Sequence, residues 1–104
     1  MVLTNIESVP GRKIVEHFGL VCGSTVRAKN AFKDMGAGFK NIVGGEMKSY
    51  TALMEESREE AVERMTRQAE ELGANAIINV RFSTSNIAHG AAELYVYGTA
   101  VKVE

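Results

Sequence analysis

A chain of 104 residues fits a single domain, 1–104, and is long enough to bury a core without a metal or a disulfide. A net charge of −1 with no basic stripe excludes a general nucleic-acid or anionic-membrane binder. The single cysteine, Cys22, excludes an intrachain disulfide and suits a reducing cytosol. Residues 1–5 carry no basic leader and no apolar run approaches a membrane span, so a cytoplasmic protein is expected.

In chain order, residues 2–9 are rich in Val, Leu, Ile and Thr and predict a strand that ends at the Pro10-Gly11 turn. Ile14, Phe18, Leu20, Cys22 and Val26 share one parity, which predicts a long strand over 12–26, or two pieces bent at Gly19 or Gly23. Asn30 is placed to cap a second, shorter helix carrying Phe32, Met35, Phe39 and Ile42. Gly36 and Gly38 inside it cost about 1 kcal/mol each relative to Ala. They mark either a close backbone approach or an irregular helix.

Gly44-Gly45 breaks the chain before its dominant pattern, residues 46–72. Met47, Tyr50, Met54, Ala61, Met65, Ala69 and Leu72 recur at helical steps, charged residues fill the remainder, and Gly73 stands where helices stop. After Gly73 the period changes to two. Ala76, Ile78, Val80 and Phe82 alternate with Ile77, Asn79 and Arg81 in one strand, residues 83–90 are a hairpin connection or a distorted strand end, and residues 91–103 form the last strand. A hairpin centred near Ile87 sets Arg81 opposite Glu93, Asn79 opposite Tyr95 and Ile77 opposite Tyr97. The expected fold is therefore α+β, in the order ββααββ. A mainly antiparallel sheet carries the long and the short helix on one face, against Ile78, Val80, Phe82, Leu94 and Val96.

The other sheet face would hold Arg81, Glu93, Tyr95 and Tyr97. It is too aromatic for ordinary solvated surface and too polar for a core, and tyrosine and arginine are enriched at interfaces. A homo-oligomer with this face at or near the contact is expected.

Several stretches carry a resemblance: Val9-Pro10-Gly11-Arg12, Gly19-Leu20-Val21-Cys22-Gly23, Asn41-Ile42-Val43-Gly44-Gly45-Glu46, Gly73-Ala74-Asn75-Ala76-Ile77 and Tyr97-Gly98-Thr99-Ala100-Val101. In this order along the whole chain they resemble the landmarks of the YbjQ-like family of small prokaryotic proteins. The resemblance implies an α+β subunit, assembly into a ring-like homo-oligomer, commonly a pentamer, and a heavy-metal-binding label that brings no ligand set to map onto this chain.

The residue types a soft metal ion wants are few: Cys22, His17 and His89, with no CxxC pair. Five positions separate His17 from Cys22, so in one unbroken strand they face opposite ways, unless a bulge intervenes. A closed site within one subunit is not expected; copies of Cys22 or His89 around a ring axis would be needed. Otherwise Cys22 reads as a small buried hydrophobe and the histidines as polar strand or loop residues. No nucleophile–base pair stands out, and the glycine pairs lack phosphate-loop spacing. The residues point to a non-enzymatic oligomeric binding protein whose ligand, a metal ion or small molecule, sits at a subunit interface or ring axis. The alternative is an enzyme acting on a small molecule in an intersubunit cleft through His89, Glu93 or Tyr97.

Overall fold

The computed structural model describes residues 1–28, 48–88 and 91–104. The long helix expected over 46–72 is α1, Lys48–Glu71. It ends at Gly73, whose φ of 91° suits a residue without a Cβ. There the Ala74 N–H reaches back to the Ala69 carbonyl at 3.1 Å and the Gly73 N–H to that of Glu70 at 3.0 Å, the paired bonds of a Schellman cap. Ala61, Met65 and Ala69 are fully buried, as the apolar stripe requires. Ser57 joins them although it is not apolar: its hydroxyl donates to the Leu53 carbonyl at 2.9 Å within the helix, so no donor is orphaned.

Four strands form one sheet: β1, Val2–Leu3; β2, Ile14–Ala28; β3, Ala76–Ala88; and β4, Ala91–Val103, in the order β1-β3-β4-β2. Strand β4 is antiparallel to both β2 and β3, whereas β1 is parallel to β3. The sheet is thus mixed, and the element order among the described residues is β-β-α-β-β, correcting the expected ββααββ arrangement on a mainly antiparallel sheet. The one parallel ladder among the described residues comes from β1, which runs beside β3 instead of pairing with β2, the next strand in sequence. Strands β2 and β3 both run against β4 and so run parallel to each other, which makes α1 a crossover between parallel strands with β4 inserted between them. The residues expected to form the shorter helix lie outside the described ones.

The first strand is also shorter than expected. Beyond Leu3 the chain still follows β3 without regular pairing: Thr4 N–H donates to the Ile77 carbonyl at 2.9 Å, Val80 N–H to that of Thr4 at 2.9 Å, and Asn79 N–H to that of Ile6 at 2.9 Å. Asn79 is the pivot. Its φ of +53° is left-handed, a conformation asparagine tolerates better than most residues, and the register with β4 shifts between Ile78 and Arg81. The expected hairpin register fails separately, on the turn side of the bulge, where the continuous run from Arg81 to Asn86 pairs four positions further along β4 than expected. Arg81 pairs with Tyr97 and Glu93 with Ser85, so the expected Arg81–Glu93 pairing does not form.

The bulge also exchanges the faces of Ile77 and Ile78, while Val80 and Val96 stay on the helix side as expected. Ile77, Val96 and Ala100 pack under α1 with Val21, Met65 and Val80. Ile78 faces the other way, with Ala76, Val101, Val103, Val9 and Ile14 in a second core beneath the N-terminal segment.

Helix α1 lies closest to the sheet at β2. A Cβ on Gly23 would sit 2.1 Å from the Ala61 carbonyl oxygen and 2.7 Å from the Met65 nitrogen, so only glycine admits the helix here. The predicted bend of β2 falls at Gly19, where φ is +97° and the register shifts between His17 and Gly19.

Candidate functional site

At one end of the sheet both faces are covered, one by α1 and the other by the N-terminal segment. Toward the β3–β4 turn the outer face, opposite α1, has no cover among the described residues. The register places Leu20, Cys22, Ser24 and Val26 of β2 on it, opposite Thr99, Tyr97, Tyr95 and Glu93 of β4, with Arg81, Ser83 and Ser85 of β3 alongside. The structure therefore brings Cys22, Arg81, Glu93, Tyr95 and Tyr97 to one surface. Leu20 and Val26 flank it with 68% and 50% of their surface exposed, which is uncommon for two large apolar residues on one strand.

Tyr95 and Tyr97 stand side by side, ring centroids 5.5 Å apart at a 30° tilt. A hydrogen bond with the Cys22 side chain pushes the Tyr95 phenol above its usual range, and desolvation, then Cys22, Glu93 and Tyr97 electrostatics, push the same way. Because the folded value is raised, the neutral phenol is favoured by folding. That contribution is whole below the ordinary phenol range, near pH 10.0, and disappears as pH climbs through the raised value. Cys22→Ala removes the largest cause, so the highest-titrating tyrosine, followed by absorbance at 295 nm, should ionise at lower pH in this variant. An unchanged curve would mean that the thiol does not hold the phenol.

Arg81 is used differently from the expectation. Instead of meeting Glu93 it donates to the carbonyl of Asn5 at 2.6 Å and to that of Val80 at 3.0 Å, tying the N-terminal segment to β3.

His17 shares the outer face with Cys22, because the bulge at Gly19 restores the parity that five positions would break. Their partners on β4, Val101 and Tyr97, are four residues apart. That spacing separates the two side chains by about 13 Å, too far to share an ion. Among the described residues no group of three His, Cys, Asp or Glu side chains converges on a metal position. A closed metal site within one chain therefore does not fit these residues. His89 lies outside the described residues.

Three contacts between α1 and β2 were missed from the sequence. The outer edge of β2 is closed by α1 side chains: Gln68 Oε1 accepts from the Cys22 N–H at 2.7 Å, and Arg64 donates to the Ser24 carbonyl at 2.5 Å. Arg27 pairs with Glu60 at 2.8 Å, and this bond holds the Glu60 carboxyl below the usual carboxylate range, with Arg64 adding to the effect. Glu60, Arg64 and Gln68 stand four apart along the helix. That signal was present in the sequence, where it reads as a solvated charged flank.

On the helix side a cavity of about 270 Å³ touches Thr25, Arg27, Met54, Ser57 and Leu94. Its main polar groups are already engaged: Thr25 donates to the Ser57 carbonyl at 3.3 Å, Ser57 is bonded within the helix, and Arg27 holds Glu60.

The family profile described as "Putative heavy-metal-binding" matches residues 1–104. The chain belongs to the YbjQ family. YbjQ relatives include a UPF0145 protein of Hahella chejuensis, 62% identical over the full length of both chains, and one of Dehalococcoides mccartyi, 55% identical over the same extent. An archaeal UPF0145 protein, from Archaeoglobus fulgidus, is 52% identical over 99% of this chain and 95% of its own. Among solved structures, the YbjQ chain is similar in fold to a protein of unknown function from Pediococcus pentosaceus, assigned to the DUF74 family. The TM-score is 0.66 at 16% identity, covering 100% of this chain and 98% of that one. No helix of the described residues is long and apolar enough to cross a membrane.

Proposed function

We propose that this YbjQ protein is a non-enzymatic homo-oligomer that binds a small ligand on the tyrosine-bearing half of its outer sheet face, where copies meet. The observation that carries the reading is that face itself. It holds the Cys22 thiol opposite Tyr97, Tyr95 beside that ring, and two strongly exposed aliphatic residues. Amphipathic aromatics beside exposed aliphatic side chains are what a contact surface offers.

A soft metal ion is a ligand this surface takes only through thiolates of several copies, since one chain supplies Cys22 alone. The test is light scattering with metal analysis of untagged protein, before and after incubation with Zn²⁺ and Cu⁺, alongside Cys22→Ser. The expected outcome is a multi-subunit particle. If the ligand is such an ion, each particle retains it at fewer than one per subunit and Cys22→Ser abolishes retention. A multi-subunit particle that retains none moves the ligand to a small organic molecule, and a single-subunit particle ends the proposal.

A further inference from the structure

The cavity on the helix side lies across the sheet from the tyrosine-bearing face. Its floor is built in two rows. Thr25 and Thr84 flank Leu94, and in the next row Arg27 and Asn86 flank Ala92. Helix α1 covers these rows with Met54 and Ser57. Ala92 has the smallest side chain of the six floor residues and leaves room between Arg27 and Asn86. The cavity's 270 Å³ equals about nine water molecules' share of liquid volume, enough for a small organic molecule. Burial is graded along it: Thr25, Ser57 and Leu94 are buried at one end, and Thr84 and Asn86 are exposed at the other.

Charge in the cavity is unbalanced. Glu60 is shared by two guanidiniums, Arg27 at Oε2 and Arg64 at Oε1, which leaves one positive charge over. The Arg27 side chain is only 23% exposed and is held in place through a single nitrogen, Nη2. Among the described residues its other N–H groups have no acceptor. Thr25 and Ser57 already donate their hydroxyl protons to backbone carbonyls, so Arg27 is the group that recognises a ligand here. A pre-positioned, partly shielded guanidinium beside Met54, Ala92 and Leu94 suits one carboxylate on a short apolar body. Glu93 also belongs to the wall and disfavours a second negative charge. The neighbouring helix carboxylates Glu55, Glu56 and Glu59 are exposed and screened by solvent.

We propose that this cavity binds a small organic monocarboxylate, with its carboxylate on Arg27 and its alkyl part against Met54, Ala92 and Leu94. The site lies within one chain and on the other side of the sheet from the outer face, so it stands independently of how copies meet.

Isothermal titration calorimetry of the full chain with hexanoate tests this, with adipate and inorganic phosphate as comparisons. Hexanoate should bind saturably, one per chain, and the other two should bind about tenfold more weakly or worse. Arg27→Met removes the guanidinium and should weaken hexanoate by about tenfold or more, the loss of a charge-assisted hydrogen bond. Because that variant also releases Glu60, Ala92→Ile is the second. It fills the cavity with a side chain that suits a strand and leaves Arg27 in place. Hexanoate binding should weaken there too, with unchanged circular dichroism. Absence of saturable binding to the wild type at millimolar hexanoate overturns the proposal, as does wild-type affinity in either folded variant. Phosphate or adipate binding as tightly as hexanoate overturns the choice of a monocarboxylate.

Discussion

Gly23→Ala should be the most damaging alanine substitution among the described glycines. The new Cβ would lie 2.1 Å from the Ala61 carbonyl oxygen and 2.7 Å from the Met65 nitrogen. Both are backbone atoms in the middle of α1, so no rotamer change relieves the contact and the whole helix must lift. Lifting it draws Gln68 from the Cys22 N–H and Arg64 from the Ser24 carbonyl, and opens the core around Val21 and Met65. The expected cost is about 3 kcal/mol, the upper end of the overpacking range. For a domain of this size that lowers Tm by roughly 12–20 °C. Gly19→Ala is the comparison. Nothing lies within 4 Å of its added Cβ, and its φ of +97° supplies strain alone. That should cost about 1–2 kcal/mol. Thermal unfolding of both variants at one protein concentration checks the order. If Gly23→Ala unfolds no earlier than Gly19→Ala, α1 does not rest on β2 as described.

That contrast also shows what could be read from the chain and what could not. The long helix was legible because its stripe repeats over many turns, and its Gly73 stop is a local signal that needs no tertiary context. The last strand was legible for the same reason, down to its bounds at Ala91 and Val103. The sheet was not, because one residue breaks its pattern. Asn79 in a left-handed conformation looks in the sequence like any polar member of an alternating strand. It nevertheless shifts the register with β4 between Ile78 and Arg81 and exchanges the faces of Ile77 and Ile78.

The parallel relation of β2 to β3 was hidden similarly, since the strand that separates them comes last in the chain. The expected grouping of side chains is present, though its rationale is not. Arg81, Glu93, Tyr95 and Tyr97 do share the outer face, yet the partner that matters to Tyr95 is Cys22 on the other neighbouring strand. Strand-to-strand neighbours of that kind follow from register, which periodicity alone leaves undetermined.

Met65→Ala separates periodicity from burial on α1. Helical spacing sets Met65 and Leu72 on the same stripe, and from the sequence they carry equal weight. The structure ranks them apart: Met65 is fully buried against Val21, Ile77 and Val96, while Leu72 keeps 46% of its surface exposed beyond the end of the helix. Removing a buried methionine side chain takes its transfer free energy and leaves a cavity in a core already built from small residues such as Ala61, Ala69 and Ala100. Those alanines cannot expand into the space, so the loss should be about 3 kcal/mol, within the range for Met→Ala in closed cores. Leu72→Ala should cost about 0.5 kcal/mol, as a surface change does. Urea unfolding reads this as a large drop in midpoint for Met65→Ala at unchanged slope, and a small one for Leu72→Ala. Equal drops would mean that Leu72 is covered in solution by a neighbouring copy. Because that loss would be intermolecular, it should shrink as the protein is diluted toward single subunits, whereas the Met65 loss should persist.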